Sequence, residues 1–361
     1  MRLACTKYVI SGAILAQSIY NENGIVLIQK GMRLTDKMLK RLLSNGITYI
    51  YIEDESTNDI LIESVFSDKL RSEATAAIKD TFTELRNSGL MERSYILEKK
   101  RNKLAVIIQQ IIEEIQVNEK SLSLLTDIFI SDDYIFQHSL NVTIYSLAIG
   151  VEMKYSDRQL TELGIGAILH DIGKIFIDPE VLNKPDRLSE EEYEIVKKHT
   201  TKGFDFLREQ MNMSEVICNC AYQHHERLDG SGYPQGLKSD EIHPYAKLIG
   251  IADVFDAVTS NRVYRDAMLP HEGLEILYGG AINLFDKYMI EAFKKSIVVY
   301  PNGLTIDLSD GKQGVVVRQN NYICDRPVIR IIKENGQKLN MPYELDLANV
   351  LNLTVTAVKT A

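Results

Sequence analysis

From about residue 121 to residue 295 the chain reads as helix after helix joined by short loops, and five of its seven histidines lie on or at the ends of those helices. Ile135, Val142, Tyr145 and Ile149 share a face with His138, and Ser131 is the expected N-cap of that helix. Ser156-x-x-Gln159 has the form of a capping box, and Leu160, Leu163 and Ala167 lead at helical spacing to His170, with Asp171 beside it. A second box, Ser189-x-x-Glu192, opens a helix expected to turn Ile195 and His199 inward as an i, i+4 pair. A fourth helix runs from about Ser214 through Ile217 and Ala221 to His224 and His225, and a fifth carries Ile249, Asp253 and Asp256 on one side. The pattern predicts an α-helical bundle whose interior receives imidazoles and carboxylates from five helices.

Burying that many polar groups costs on the order of several kcal/mol unless each is paired or bound to metal. For any one histidine alone, a hydrogen-bonded core side chain is the simpler reading. Five together with two inward aspartates point to metal. Nitrogen and oxygen donors without thiolate suit iron, manganese or zinc over calcium, and a carboxylate such as Asp171 can bridge two ions. His243 and His271 are read as ordinary histidines.

The flanks have a different texture. Residues 12–53 combine apolar Ile14 to Ile19, the hairpin signal Asn23-Gly24, apolar Ile25 to Ile28, a helix from Thr35 and a strand over Ile47 to Ile52. Residues 67–87 and 94–117 carry helical spacing with many charges, which fits an elongated connector, a dimer-forming pair of helices, or the solvated face of packed helices. After Tyr300-Pro301-Asn302-Gly303, the runs Val315-Val316-Val317 and Val328 to Ile332, with the turns Asp310-Gly311 and Asn335-Gly336, predict short antiparallel strands. The expected organisation is a mixed α/β module over 1–60, connector helices over 61–120, the helical domain over 121–296 and a small β module over 297–361.

The net charge of −9 disfavours a reader of duplex nucleic acid, and the acidic excess lies in the helical middle. A phosphate ester handled there would require metal ions or a few placed cations. No aromatic and basic residues interleave as in a single-strand groove, which argues against a nuclease. The four cysteines form no CxxC pair, and no run of about 18 apolar residues occurs, so the reading is a cytoplasmic chain without a membrane span.

Two stretches resemble a known family. His170-Asp171-Ile172-Gly173-Lys174 matches H-D-x-G-K of the HD superfamily of metal-dependent phosphohydrolases. His224-His225-Glu226-Arg227-Leu228-Asp229-Gly230-Ser231-Gly232-Tyr233-Pro234 matches H-H-E-x-x-D-G-x-G-Y-P, which marks the HD-GYP subgroup. The likeness runs from about Phe136 through Asp266. It implies a mainly α, HD-type catalytic bundle that hydrolyses cyclic di-GMP to linear pGpG, and in some members onward to GMP. Residue by residue, it implies metal ligands at His138, His170, Asp171, His199, His224, His225 and Asp253, with Asp171 bridging two divalent ions, iron or manganese. Some members have a glutamate four residues before the first histidine that supports a third metal. Tyr134 stands there in this sequence, so two are expected.

The remaining site expectations follow from chemistry. Lys174, on the same face as His170 if the helix persists past Gly173, could reach a phosphate oxygen or simply oppose the helix dipole. Glu226 is expected to accept an N–H from a ligand imidazole, against the plainer reading of an exposed acid. Gly230 to Pro234 form a turn able to approach a ligand or dock a protein partner, and Tyr233 offers it an aromatic face. Arg262-Val263-Tyr264-Arg265 resembles the family's R-P-Y-[RK], with Val263 replacing the proline; both arginines could hold a second phosphate or a guanine edge, or pair with surface acids. Two other readings are kept: a hydrolase of another cyclic dinucleotide or a nucleotide monophosphate, and a noncatalytic cyclic di-GMP receptor.

Overall fold

The computed structural model describes the chain apart from residues 22–25, 46, 61–66, 88–89, 118–128, 131–133, 183, 185, 211–212, 261–266, 321–322 and 361. The N-terminal part runs β1 (Arg2–Cys5), β2 (Ile19–Asn21), β3 (Val26–Ile28), α1 (Asp36–Ser44) and β4 (Tyr49–Ile52). β1 pairs antiparallel with β4, and β2 with β3. The expected turn at Asn23-Gly24 and the cap Ser131 lie outside the described residues. Thr35 starts α1 as expected, its hydroxyl accepting the Met38 N–H at 3.3 Å.

Two long charged helices follow, α2 (Asp68–Asn87) and α3 (Leu90–Val117). Their inner faces are apolar, and Ile78, Phe82, Ile108 and Ile112 share one buried cluster with Leu140, Ile144 and Ile168 of the bundle. Among the described residues most of their charges lie on the opposite, solvated face, with Arg71 a buried exception.

The bundle comprises β5 (Phe129–Ile130), α4 (Tyr134–Glu152), α5 (Asp157–Leu169), α6 (Pro179–Leu182), α7 (Glu190–Lys197), α8 (His199–Asp205), α9 (Glu215–Gln223), α10 (Pro244–Thr259), α11 (Pro270–Gly279) and α12 (Lys287–Ser296). α4 and α5 are central because both of their faces are apolar. Leu140, Ile144, Leu147 and Ile168 pack toward α2 and α3, whereas Val142, Tyr145, Ile149 and Leu163 pack toward α10, α11 and α12. Helices so enclosed leave little room for unpaired polar groups, which concentrates those present at one end of α4 and α5. No helix among the described residues is long and apolar enough to cross a membrane.

After α12 the chain forms β6 (Thr305–Leu308), β7 (Lys312–Arg318), β8 (Val328–Glu334), β9 (Gln337–Asp346) and β10 (Val355–Lys359) in one antiparallel sheet of order β10-β6-β7-β8-β9. Asn335 and Gly336, at φ 49° and 78°, close the β8–β9 hairpin with the left-handed backbone such a turn requires. The sheet's inner face buries Ile306, Val316 and Ile329 with Leu3, Ala16 and Tyr51 of the N-terminal part. The Arg330 guanidinium bridges the same two parts, donating to both Asp59 carboxylate oxygens at 2.7 and 2.6 Å.

Candidate metal centre

The centre is built where α4, α5, α8, α9 and α10 converge. On α4, His138 is buried between two acids of α10: Nδ1 lies 2.7 Å from Asp256 Oδ2, and Nε2 lies 3.1 Å from Asp253 Oδ1. Asp256 is itself fixed, its Oδ1 accepting from Asn141 Nδ2 at 2.9 Å and from Ser260 Oγ at 2.7 Å.

Three further imidazoles arrive at helix ends or breaks, where backbone carbonyls are free to accept. α5 stops at Leu169, and His170 Nδ1 donates to Ala167 O at 2.6 Å. The chain breaks at Lys198, and His199, the first residue of α8, donates through Nδ1 to Val196 O at 2.7 Å. His224 follows α9 and donates through Nδ1 to Cys220 O at 3.1 Å. This hydrogen-bond pattern assigns the same tautomer to all three, with the Nε2 lone pair left for the interior.

Asp171 stands between them. Its Oδ2 is 3.5 Å from His138 Nε2 and 3.4 Å from His170 Nε2, while its Oδ1 is 3.4 Å from His199 Nε2 and 3.9 Å from His224 Nε2. One carboxylate thus faces two compartments. Asp253 has a similar arrangement, with Oδ1 on His138 and Oδ2 3.7 Å from His225 Nδ1. Donor atoms of His138, His170 and Asp171 lie within 4.8 Å of one another, and so do those of His199, His224 and His225.

Two atoms test whether metal fits. His170 Nε2 and Asp171 Oδ1 are buried without a hydrogen-bond partner, a condition that costs about 1–3 kcal/mol for each group. A cation between such atoms removes both penalties, so the donor set fits divalent metal.

The electrostatics of three imidazoles agree, while His138 would have to release a proton to ligate. Burial pushes His199 down to about 4 and holds His224 and His225 well below the ordinary imidazole range, so these rings are neutral and able to ligate. Burial would lower His138 too, but its hydrogen bonds to Asp253 and Asp256 outweigh that and raise it to about 9. Burial alone would raise both aspartates. The Lys174 ammonium and nearby imidazoles instead hold Asp171 well below the carboxylate range, and His138 and His225 do the same for Asp253.

Several sequence expectations need correction. α7 and α8 are separate helices because of the break at Lys198, so Ile195 is exposed while His199 is buried. Lys174 does not continue α5. It lies in a 3-10 turn, Ile172–Phe176, and its Nζ reaches Asp171 Oδ2 at 2.5 Å. Gly173 permits that turn, since a Cβ there would collide with the His199 carbonyl. Glu226 meets no imidazole among its hydrogen bonds; its buried carboxylate accepts the N–H groups of Gln235 and Leu237 at 2.7 and 3.0 Å. Those two amides belong to a loop with no strand to pair with, so a side chain must accept them. The imidazole-holding role falls to Asp256, whose inward placement was visible in the α10 pattern but whose partner lies 118 residues away.

At the rim, Tyr233 stacks on His225 with ring centroids 4.6 Å apart and planes 29° apart. Gly232 lets the loop press against the backbone of His225 and Glu226, where a Cβ would not fit. Arg262 and Arg265 lie outside the described residues, as does the segment that joins α10 to Ala267.

Fold and site together define a helical bundle enclosing two adjoining buried histidine and aspartate clusters that could hold metal. Residues 122–288 match the HD domain family. A cyclic di-GMP phosphodiesterase of Pseudomonas aeruginosa is 28% identical over 278 residues, 76% of this chain and 64% of that protein. One from Thermotoga maritima is 33% identical over 247 residues, 67% of this chain and 66% of that protein. A 3′3′-cGAMP-specific phosphodiesterase of Vibrio cholerae is 34% identical over 172 residues, 48% of this chain and 37% of that protein. The chain thus spans less than two thirds of the length of these relatives. The solved HDG"Y"P protein Bd1817 of Bdellovibrio bacteriovorus shares the fold, with a TM-score of 0.53 at 19% identity over 74% of this chain and 89% of that one. The chain belongs to the HD-GYP family of HD-domain proteins.

Proposed function

We propose that this protein is a metal-dependent phosphodiesterase that opens cyclic di-GMP to linear pGpG, with further cleavage to GMP as a second step of the same chemistry. The observation that carries the reading is Asp171, a single buried carboxylate with one oxygen toward His138 and His170 and the other toward His199 and His224. That arrangement suits a pair of divalent ions, iron or manganese, with His138, His170, Asp171 and Asp253 holding one and Asp171, His199, His224 and His225 the other. When bound, the pair supplies Lewis acidity, which makes a water a competent nucleophile near neutral pH and offsets charge on the phosphoryl oxygens.

The water oxygen bonds to phosphorus as the P–O3′ bond breaks, leaving a 5′-phosphate and a 3′-hydroxyl. The protein's own contribution is orientation. Backbone carbonyls fix His170, His199 and His224 and Asp256 fixes His138, so these four donors need no rearrangement as charge develops. Lys174, beside Asp171 and partly exposed, supplies a cation for a phosphate oxygen, and Tyr233 lines the entrance. Arg262 and Arg265 are the proposed contacts to the second phosphate or a guanine. The similarity to a cGAMP-specific relative keeps a mixed cyclic dinucleotide as the second reading of the substrate.

The test is anaerobic purification, metal quantification and chromatographic assay of cyclic di-GMP turnover, with His170→Ala plus Asp171→Ala as control. About two metals per chain and turnover that vanishes in the control are expected. Metal without turnover of any cyclic dinucleotide would sink the enzyme reading, and tight dinucleotide binding with neither metal nor turnover would make this a receptor.

A further inference from the structure

The rim of the centre carries a feature that the ligand set does not explain. α7 contains no buried residue, yet it is firmly placed: Ser189 and Glu192 complete a capping box, with Ser189 N donating to Glu192 Oε2 at 2.7 Å and Glu192 N to Ser189 Oγ at 3.2 Å. Lys184 Nζ adds an ion pair to Glu192 at 2.7 Å. On this helix Tyr193 is 49% exposed and leaves part of its ring open to a ligand.

Tyr193 meets Tyr233 edge to face, with centroids 6.4 Å apart and planes at 80°. One helical turn on, the Lys197 ammonium lies 5.4 Å from the Tyr193 ring and 5.5 Å from the Tyr233 ring. Two rings at a right angle with a cation in the corner make a short shelf, and its inner end is the stack of Tyr233 on His225. The only acid paired with Lys197 among the described residues is Glu194, whose side chain is itself mostly exposed and which a ligand can displace at little cost.

We propose that Tyr193 and Lys197 form the subsite for a guanine base, and this rests on the phosphodiesterase reading above. Tyr193 supplies a face on which a purine stacks, as bases do on exposed aromatic rings in single-strand binders. Lys197 donates to the O6 and N7 acceptors of guanine, whereas adenine presents the N6 amino group at the O6 position and repels the ammonium. Neither residue belongs to the H-D-x-G-K or H-H-E-x-x-D-G-x-G-Y-P stretches. The shelf runs through Tyr233 to His225, so a base stacked on Tyr193 directs its phosphate toward the buried donors.

The test measures Kd by calorimetry on the metal-loaded full chain for GMP, AMP and ribose 5-phosphate, the last lacking a base, beside turnover of cyclic di-GMP. For Tyr193→Ala, GMP should bind about tenfold more weakly while ribose 5-phosphate shifts less than about twofold, and Tyr193→Phe should keep wild-type affinity. Lys197→Met should bring the GMP and AMP affinities together. An equal loss for GMP and ribose 5-phosphate would mean a merely structural role and overturn the proposal, as would unchanged GMP binding in Tyr193→Ala. Absence of cyclic di-GMP turnover in the wild type removes the enzyme reading, but base-dependent binding that Tyr193→Ala abolishes would still uphold the subsite.

Discussion

The buried donor box and its exposed rim use opposite devices. Inside, four of the five imidazoles have their second nitrogen held by a neighbour: Ala167 O for His170, Val196 O for His199, Cys220 O for His224 and Asp256 for His138. Outside, Tyr193, Tyr233 and Lys197 are placed by ring contacts and by a short helix with no buried residue. The inside is specified by hydrogen bonds that have no alternative in a dry environment, and the rim by weaker contacts that a ligand can share. Loss of an interior group should therefore cost metal and chemistry, and loss of a rim group selectivity.

The largest effect is expected from His170→Ala with Asp171→Ala, which removes donors from both compartments. Metal content should fall below one ion per chain, and turnover should drop by on the order of a thousandfold or more. Retained metal stoichiometry would break the comparison at its root.

A smaller effect is expected for Asp256→Ala, which meets the centre through His138. Freed of its anchor, the imidazole should bind metal about 10- to 100-fold more weakly in a chelator competition. Affinity equal to wild type would show that the α10 carboxylate does not orient the ring.

Acid should weaken the box before the rim. The folded chain keeps His199 at about 4 against an ordinary 6.5, so between those values the unfolded chain binds a proton that the folded chain refuses, and metal-free stability falls as pH drops through that window. His224 and His225 act in the same direction. His138, raised to about 9, has the opposite sign: its contribution is complete below 6.5 and fades as pH rises through 9. The Tm of chelated protein should therefore be highest near neutrality and lower by on the order of several degrees at pH 4.5. A flat profile would contradict the buried neutral rings.

The smallest change belongs to Glu226→Ala, which leaves the Gln235 and Leu237 amides without an acceptor. Thermal stability should fall by about 1–3 kcal/mol while metal content stays constant. A loss of metal in this variant would restore Glu226 to the centre and blur the boundary between box and rim.

Much of the box is legible in the sequence. Apolar spacing turned His138, His170, His199 and His224 inward, and the structure buries all four. The capping signals at Ser156 and Ser189 marked real helix starts, with Gln159 Oε1 accepting the Ser156 N–H at 3.0 Å. Where the reading failed, it extended a helix too far. Lys174 and Ile195 were placed by a period of 3.6 residues across Gly173 and Lys198, where the backbone had already changed course. Glu226 differs for another reason: a carboxylate next to two histidines has the pattern of their partner, but the loop amides of Gln235 and Leu237 claim it.

Periodicity and local capping are properties of neighbouring residues, so the chain's own order was enough to set the helices, their inward faces and the donor types available to a metal. Which oxygen of Asp171 faces which pair of histidines, that Asp256 holds a ring 118 residues away, and that Tyr193 meets Tyr233 across two elements are relations between distant segments. They exist only once the bundle closes, because its packing alone brings those atoms within hydrogen-bonding or stacking distance and excludes the water that would otherwise satisfy them.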